Sequence, residues 1–284
     1  MTPRIARRLT PLVPALRAAG FVVSLGIVVA MAVVAARDVP AGDVRWWLVA
    51  PALAAALAWW LLLARGWSVL LRGHVTRGDL SGWTRTQALR YLPGGIWAPA
   101  SRLVAMSGRP VDRVATVGAE NVLALCAAVS LGGAALAAAG RPLWLLAVGA
   151  VALPALAAGR LSRHSRVDRS RSRRATATYV AAFAAYALFA VLVQAAVSGF
   201  EQPLAVAGSA LVAWAAGLVV IITPGGVGTR ELAYAALLSG GLAQGDAAAG
   251  AILMRMVTIV AELLVLVALG RPHAEAGPAH AVDR

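Results

Sequence analysis

Lysine is missing altogether from this chain of 284 residues; all 26 basic positions are arginine. In an alanine-rich sequence that bias mostly reflects codon usage. Charged residues of either sign are scarce at 13%, where a soluble domain of this size carries roughly a quarter. An ordinary soluble globular domain is thereby excluded. Cysteine occurs once, as Cys126 within an apolar run, so no intramolecular disulfide can form and the redox compartment leaves no trace. The four histidines (His74, His164, His273 and His280) are scattered without metal-ligand spacing, and no metal site is expected. No nucleotide-binding loop and no nucleophile–base pair at a recognisable spacing occurs, so no cofactor is implied.

What fills the chain instead is apolar helix. Hydrophobic residues make up 60% of it and the mean hydropathy is +0.77. Several runs approach the roughly 20 residues needed to cross a bilayer. The fold class is therefore all-α, a polytopic helical membrane protein. Seven spans are expected, near 15–36, 46–64, 113–139, 142–158, 175–197, 203–222 and 247–269. Residues 1–271 form one integral membrane domain, and the polar tail 272–284 is expected to be disordered. The start, MTPRIARRLT, resembles a secretory signal but reads better as the flank of an uncleaved first span.

A formal net charge of +14 raises the question of nucleic acid. The arginines answer it by their placement, which follows membrane topology rather than a continuous binding patch. With the N-terminus inside and each span crossing once, the inside receives Arg4, Arg7, Arg8, Arg17, Arg65, Arg72, Arg77, Arg85 and Arg90. It also receives the whole cluster RLSRHSRVDRSRSRR at 160–174. Only Arg37, Arg45, Arg141, Arg271 and Arg284 fall outside. Three inside segments agree, which sets a cytoplasmic N-terminus in a plasma membrane. The 160–174 cluster then acts as a topology-setting loop that touches anionic lipid heads.

Two interruptions stand out: RYLPGGIWAPASR at 90–102 and ITPGGVGTRELAY at 222–234, their Pro-Gly-Gly boxes 131 residues apart. Proline removes a backbone donor and glycine tolerates positive φ, so a helix must stop at each box. At membrane depth a broken backbone survives only where protein or a water-filled cavity satisfies it. The two boxes are expected to be re-entrant elements. The spans preceding each run in the same sense, which makes 15–139 and 175–269 parallel repeats. A helix restarting after Gly226 offers free N–H groups and a positive dipole end, an arrangement suited to anions. Discontinuous helices of this kind hold anionic groups in many transporters.

Charges inside the spans narrow the site. Glu120, Arg255 and Glu262 each cost roughly 2.5–3.5 kcal/mol at the bilayer centre, so they should face inward and be paired. Glu120 with Arg102 or Arg230, and Glu231 with Arg255, are the pairings considered. Arg255 and Glu262 share a helix face two turns apart, and each can meet a partner from a re-entrant segment. Trp46, Trp47 and Trp67 read as interfacial aromatics, and Gly132-Gly133 as a close-packing face.

An arginine-containing LPGG segment, a glutamate in the next helix and the late box PGGVGTRE at 224–231 resemble the lysylphosphatidylglycerol synthase transmembrane region family. The resemblance covers about 15–269. It implies a membrane domain of some eight helical segments that flips lipid, and here a stand-alone flipping half without the soluble synthase domain. Stand-alone relatives look associated with glycosyltransferase pathways. The positions it singles out are Pro93, Gly94, Gly95, Arg102 and Glu120, then Pro224, Gly225, Gly226, Gly228, Arg230 and Glu231. The first box departs from the family pattern in GGIWAPASR, and Asn121 follows Glu120. With Arg255 and Glu262 these residues form the expected substrate site for an anionic phospholipid, glycolipid or polyprenyl-phosphate lipid. The rivals are a lipid-modifying enzyme using Asp79, Asp112 or Glu231 as base, and a non-catalytic partner of membrane glycosyltransferase pathway proteins.

Overall fold

The computed structural model describes residues 25–26, 28–39, 41–91, 97–106, 110–141, 169–220 and 223–270. Among these the protein is helical, without a strand. Pro93, Gly94 and Gly95 of the first box, the expected span at 142–158, residues 160–168 of the basic cluster and the tail 272–284 lie outside the described residues. After a helical stretch at 28–38 come eight α-helices. They are α1 (Val49–Arg72), α2 (Arg77–Gln87), α3 (Trp97–Ala105), α4 (Pro110–Ala138), α5 (Arg169–Ser198), α6 (Pro203–Val219), α7 (Thr229–Leu238) and α8 (Gln244–Leu269). Short 3-10 turns at Ala88–Tyr91 and Pro224–Gly226 precede or contain the two boxes.

Four helices are long and apolar enough to cross a membrane: Trp46–Arg72, Asp112–Ala138, Ser170–Ser198 and Gln244–Leu269. Their backbone polar groups are satisfied within the helix, as hydrocarbon requires. α1 stops where Gly73 adopts φ 81 and returns its N–H to the Val69 carbonyl at 2.8 Å, a left-handed cap that glycine makes without strain. The turn into α2 is then pinned by Asp79. Its carboxylate accepts from Ser68 Oγ at 2.9 Å and Arg72 Nε at 3.0 Å, while Thr76 Oγ1 accepts the Asp79 N–H.

The expected span 203–222 is not among these four; it is a shorter apolar helix over Pro203–Val219. α6 has 17 residues, about 25 Å of helix against a hydrocarbon core of about 30 Å. The chain then breaks at Pro224–Gly226 and returns as α7. Both ends of this hairpin lie together, since Gln202 Nε2 donates to the Gly241 carbonyl at 2.6 Å.

This corrects the direction of the last span. With seven single crossings, α8 would start at the end that carries Gly73. It starts at the other one. Gln194, near the end of α5, donates from Nε2 to the Asp246 carbonyl at 3.1 Å, and Gly245 lies against Asp38. That end also holds Arg45, which donates to the Ala195 carbonyl, and Arg141, beside Gln202. The opposite, arginine-rich end joins the α1 terminus to the α5 start through Arg174 and the Gly73 carbonyl, with Arg171 packed on Gly73. The alternation fails because the α6–α7 pair goes in and comes back.

α1 and α5 run antiparallel along each other, Gly66 making room for the Tyr179 ring and Trp59 lying 4.7 Å from Tyr186. α4 and α6 close at Gly132 and Gly208, where a Cβ on Gly208 would come within 2.6 Å of Leu136 Cγ and 2.8 Å of the Gly132 carbonyl oxygen. Gly118, on the same α4, has nothing within 4 Å of an added Cβ. Gly208→Ala should therefore lower stability by about 1–3 kcal/mol through overpacking, whereas Gly118→Ala should be neutral or raise it by up to about 1 kcal/mol through helix propensity. Thermal unfolding of the two variants in detergent, followed by tryptophan fluorescence, reads the contrast.

Candidate functional site

The second box is described in full, and its glycines explain its shape. Gly225, Gly226 and Gly228 have φ of 58, 71 and 81, the left-handed region that a side chain resists. Pro224 opens the turn, Gly226 donates to the Thr223 carbonyl at 3.2 Å, and α7 begins one residue after Gly228. The start of α7 is not left open for an anion, contrary to the sequence-based expectation. Glu231 folds back and accepts the Gly228 N–H on Oε2 at 2.7 Å, so the chain's own carboxylate occupies the dipole end.

The other oxygen of Glu231 meets Arg255 of α8, at 2.6 Å from Nη2 and 2.8 Å from Nε. In the first hairpin, the contacting α2–α3 pair on either side of the first box, Arg102 of α3 lies 3.1 Å from Glu120 of α4, whose second oxygen accepts Trp83 Nε1 at 2.7 Å. Glu231 with Arg255 is the pairing expected from the charges, and of the two partners considered for Glu120 the structure pairs it with Arg102. A third was missed: Arg90, in the turn before the first box, binds Glu262 of α8 at 2.6 Å. Every one of these pairs ties a segment flanking a box to a spanning helix. Their side chains are between 5% and 13% exposed, so the charges meet largely outside water.

Between the two hairpins lies a cavity of about 450 Å³, within the roughly 300–1,000 Å³ of small-molecule sites. Arg90, Arg102, Glu120, Gly225, Gly226 and Arg230 line it, together with Trp59, Trp60, Trp83, Tyr179 and Trp214. Three arginines thus face one glutamate. Val122 of α4, Val219 at the end of α6 and Val220 just beyond it line the cavity and are exposed. The result is an apolar mouth leading to a cationic interior.

Arg230 differs from Arg90, Arg102 and Arg255. Among the described residues no carboxylate lies within ion-pair distance of it, and its Nε is shielded from solvent without a hydrogen-bond partner. Its guanidinium sits 5.5 Å from the Trp214 ring centroid, a cation–π contact. Gly217 and Gly226 make its space: a Cβ on Gly226 would fall 2.8 Å from Arg230 Nε, and one on Gly217 would collide with Arg230 Cγ. Arg102 is half in the same state, with Nε and Nη1 buried and without hydrogen-bond partners. Arg90 and Arg102 are stacked too, over Trp60 at 4.6 Å and Trp67 at 5.4 Å. Trp67 is 4% exposed, so it is an internal platform rather than an interfacial anchor.

A smaller chamber of about 30 Å³ lies on the other side of Arg230, among Trp59, Tyr186, Glu231, Tyr234, Arg255 and Thr258. Of the predicted site residues, Arg102, Glu120, Gly225 and Gly226 line the large cavity, Glu231 and Arg255 the small one, and Arg230 both. Glu262 lines neither and acts through Arg90. The residues missed were Arg90, Trp83, Trp214 and Gly217. One signal was available: Trp83 and Trp214 each stand ten residues before the proline of a box.

No protein-family model and no curated protein matches this chain.

Replacing Glu231 by Gln keeps the acceptor for the Gly228 N–H but leaves Arg255 buried without its counter-charge. The loss should be about 3–5 kcal/mol. Glu231→Gln combined with Arg255→Met should recover most of it. Unfolding of purified protein in micelles on titration with a denaturing detergent measures both, and equal losses in the single and double variants would show that the pair is not coupled.

Proposed function

We infer that this chain moves a lipid with an anionic, phosphate-type head group across the membrane. Arg230 carries the reading. A guanidinium with no carboxylate within ion-pair distance among the described residues, lining two chambers in an apolar bundle, is costly unless an anion visits it. Arginine also suits a phosphate, which its planar fork can bind through two parallel N–H groups. Arg102 offers further unsatisfied donors in the same cavity, and the apolar mouth between α4 and α6 suits the acyl chains of a lipid arriving sideways.

The finer membrane picture belongs to the same reading. The positive-inside rule makes the end with Arg65, Arg72, Arg171 and Arg174 cytoplasmic, in the plasma membrane, with the N-terminus on that side. The second box is then the tip of a re-entrant hairpin entered from outside. The resemblance of PGGVGTRE to the transmembrane region of lysylphosphatidylglycerol synthases supports lipid flipping as the activity. An enzymatic reading needs an available base beside the cavity; Asp79 and Glu231 already engage Arg72 and Arg255, and Asp112 lines neither chamber.

The test is transport in proteoliposomes of fluorescent phosphatidylglycerol against phosphatidylcholine, read by a quencher confined to one leaflet. The wild type should move the anionic lipid faster. Arg230→Met should cut that movement about 10–100-fold, the equivalent of one charge-assisted contact, and abolish the preference. Gly217→Ala should mimic it in part by displacing Arg230. Equal transport of both lipids by wild type, or an Arg230→Met protein as active as wild type, would overturn the reading.

A further inference from the structure

The two halves of the molecule repeat, and they repeat upside down. Each contains a long helix, a short helix with tryptophan ten residues before the box, the box, a second short helix and a second long one: α1 to α4, then α5 to α8. Trp83 packs edge-on to Trp60 of α1 at 5.6 Å, and Trp214 edge-on to Phe183 of α5 at 4.6 Å. The neighbours interchange as a two-fold relation requires. α4 lies on α6 and α8 on α2; α8 lies on α1 and α4 on α5; α7 lies on α8 and α3 on α4. Two contacts map onto themselves, α1 with α5 and the turn 88–91 with the turn 224–226. Yet α1 runs toward the arginine-rich end and α5 away from it. Parallel repeats, the expectation from sequence, would run in one sense; these are inverted, as in many transporters.

Inversion assigns a partner to the large cavity. Apart from the second hairpin's tip, that cavity is built by α2, α3 and α4 against α1 and α5; the small chamber is built by α6, α7 and α8 against the same two helices. Arg102 of α3 facing Glu120 of α4 corresponds to Glu231 of α7 facing Arg255 of α8, with the charges exchanged. We propose that the small chamber is a second substrate site, the closed counterpart of the large one, which opens toward the opposite face to receive the same phosphate-type head group. At about 30 Å³ it has room for a water molecule, so it admits a head group only when α7 and α8 part. The Glu231–Arg255 pair is the latch between them, and Arg230, lining both chambers, is the cation that stays with the head group as one closes and the other opens. The proposal rests on the lipid-transport reading for its ligand, but not for its geometry.

The test uses full-length protein with Cys126→Ser, carrying either Asn121→Cys in the large cavity or Thr258→Cys in the small one. A charged, membrane-impermeant methanethiosulfonate is added to right-side-out or inverted vesicles. Asn121→Cys should react from the arginine-rich face. Thr258→Cys should react slowly, and only from the opposite face. Opening the latch with Glu231→Gln and Arg255→Met together, a combination chosen to keep the fold, should speed Thr258→Cys at least tenfold and slow Asn121→Cys. Size-exclusion profiles confirm that each variant is folded. Reaction of both positions from the same face would overturn the inversion. A Thr258→Cys that stays unreactive with the latch open would make the chamber a packing void. Reciprocal labelling in a protein that transports no lipid would keep the two chambers and remove the lipid reading, so the two failures are distinguishable.

Discussion

An arginine buried in an apolar bundle must be met by a negative charge, and the architecture of this protein follows from where that demand is satisfied. Three arginines are matched: Arg90 by Glu262, Arg102 by Glu120 and Arg255 by Glu231. Such pairs add little net stability, because desolvating both partners offsets most of their attraction. Separating them is another matter, since each partner would then be buried alone. They act as fasteners, fixing each box-flanking segment against one particular spanning helix.

The aromatic residues and glycines set what those fasteners leave open. Arg90, Arg102 and Arg230 each lie over an indole ring, and a planar, weakly hydrated guanidinium does this better than a compact ammonium. The absence of lysine thus suits the site, whatever codon usage contributes. Gly217 and Gly226 then help to place Arg230, by leaving the space its side chain occupies. A position fixed by shape rather than by charge leaves the charge available.

How far the sequence discloses this depends on the kind of information needed. The Arg102–Glu120 and Glu231–Arg255 pairs are legible because few charges lie at depth and each needs a partner. Arg90 was not, since an arginine near a basic loop reads as a topology signal, and nothing in its neighbours marks it as internal. The direction of α8 was hidden for a different reason. Hydropathy reports that a segment is apolar but not whether the chain has crossed or turned back, and α6 with its 17 residues is within a few residues of a full span. Arg271 alone could not outweigh that ambiguity. Trp83 and Trp214 did carry the repeat in their equal spacing, but tryptophans in membrane proteins are read first as interfacial. Both are buried, at 2% and 7% exposure.

The inversion also bears on why the present arrangement is lopsided. In a molecule made of two inverted halves, exchanging their conformations gives a second state of the same topology, so the two differ only by whatever breaks the symmetry. Two features break it here. The Arg90–Glu262 pair binds the first hairpin to α8, and no charged residue at the corresponding position before the second box can repeat it, because Ile221 stands there. The gating pairs are reversed as well: the first hairpin contributes the cation and the second contributes the anion. An anionic head group drawing on Arg102 therefore competes with Glu120 on a spanning helix, whereas one drawing on Arg255 competes with Glu231 on a hairpin. The same ligand would loosen the two gates by different routes, and a ligand can shift such an equilibrium only by that difference.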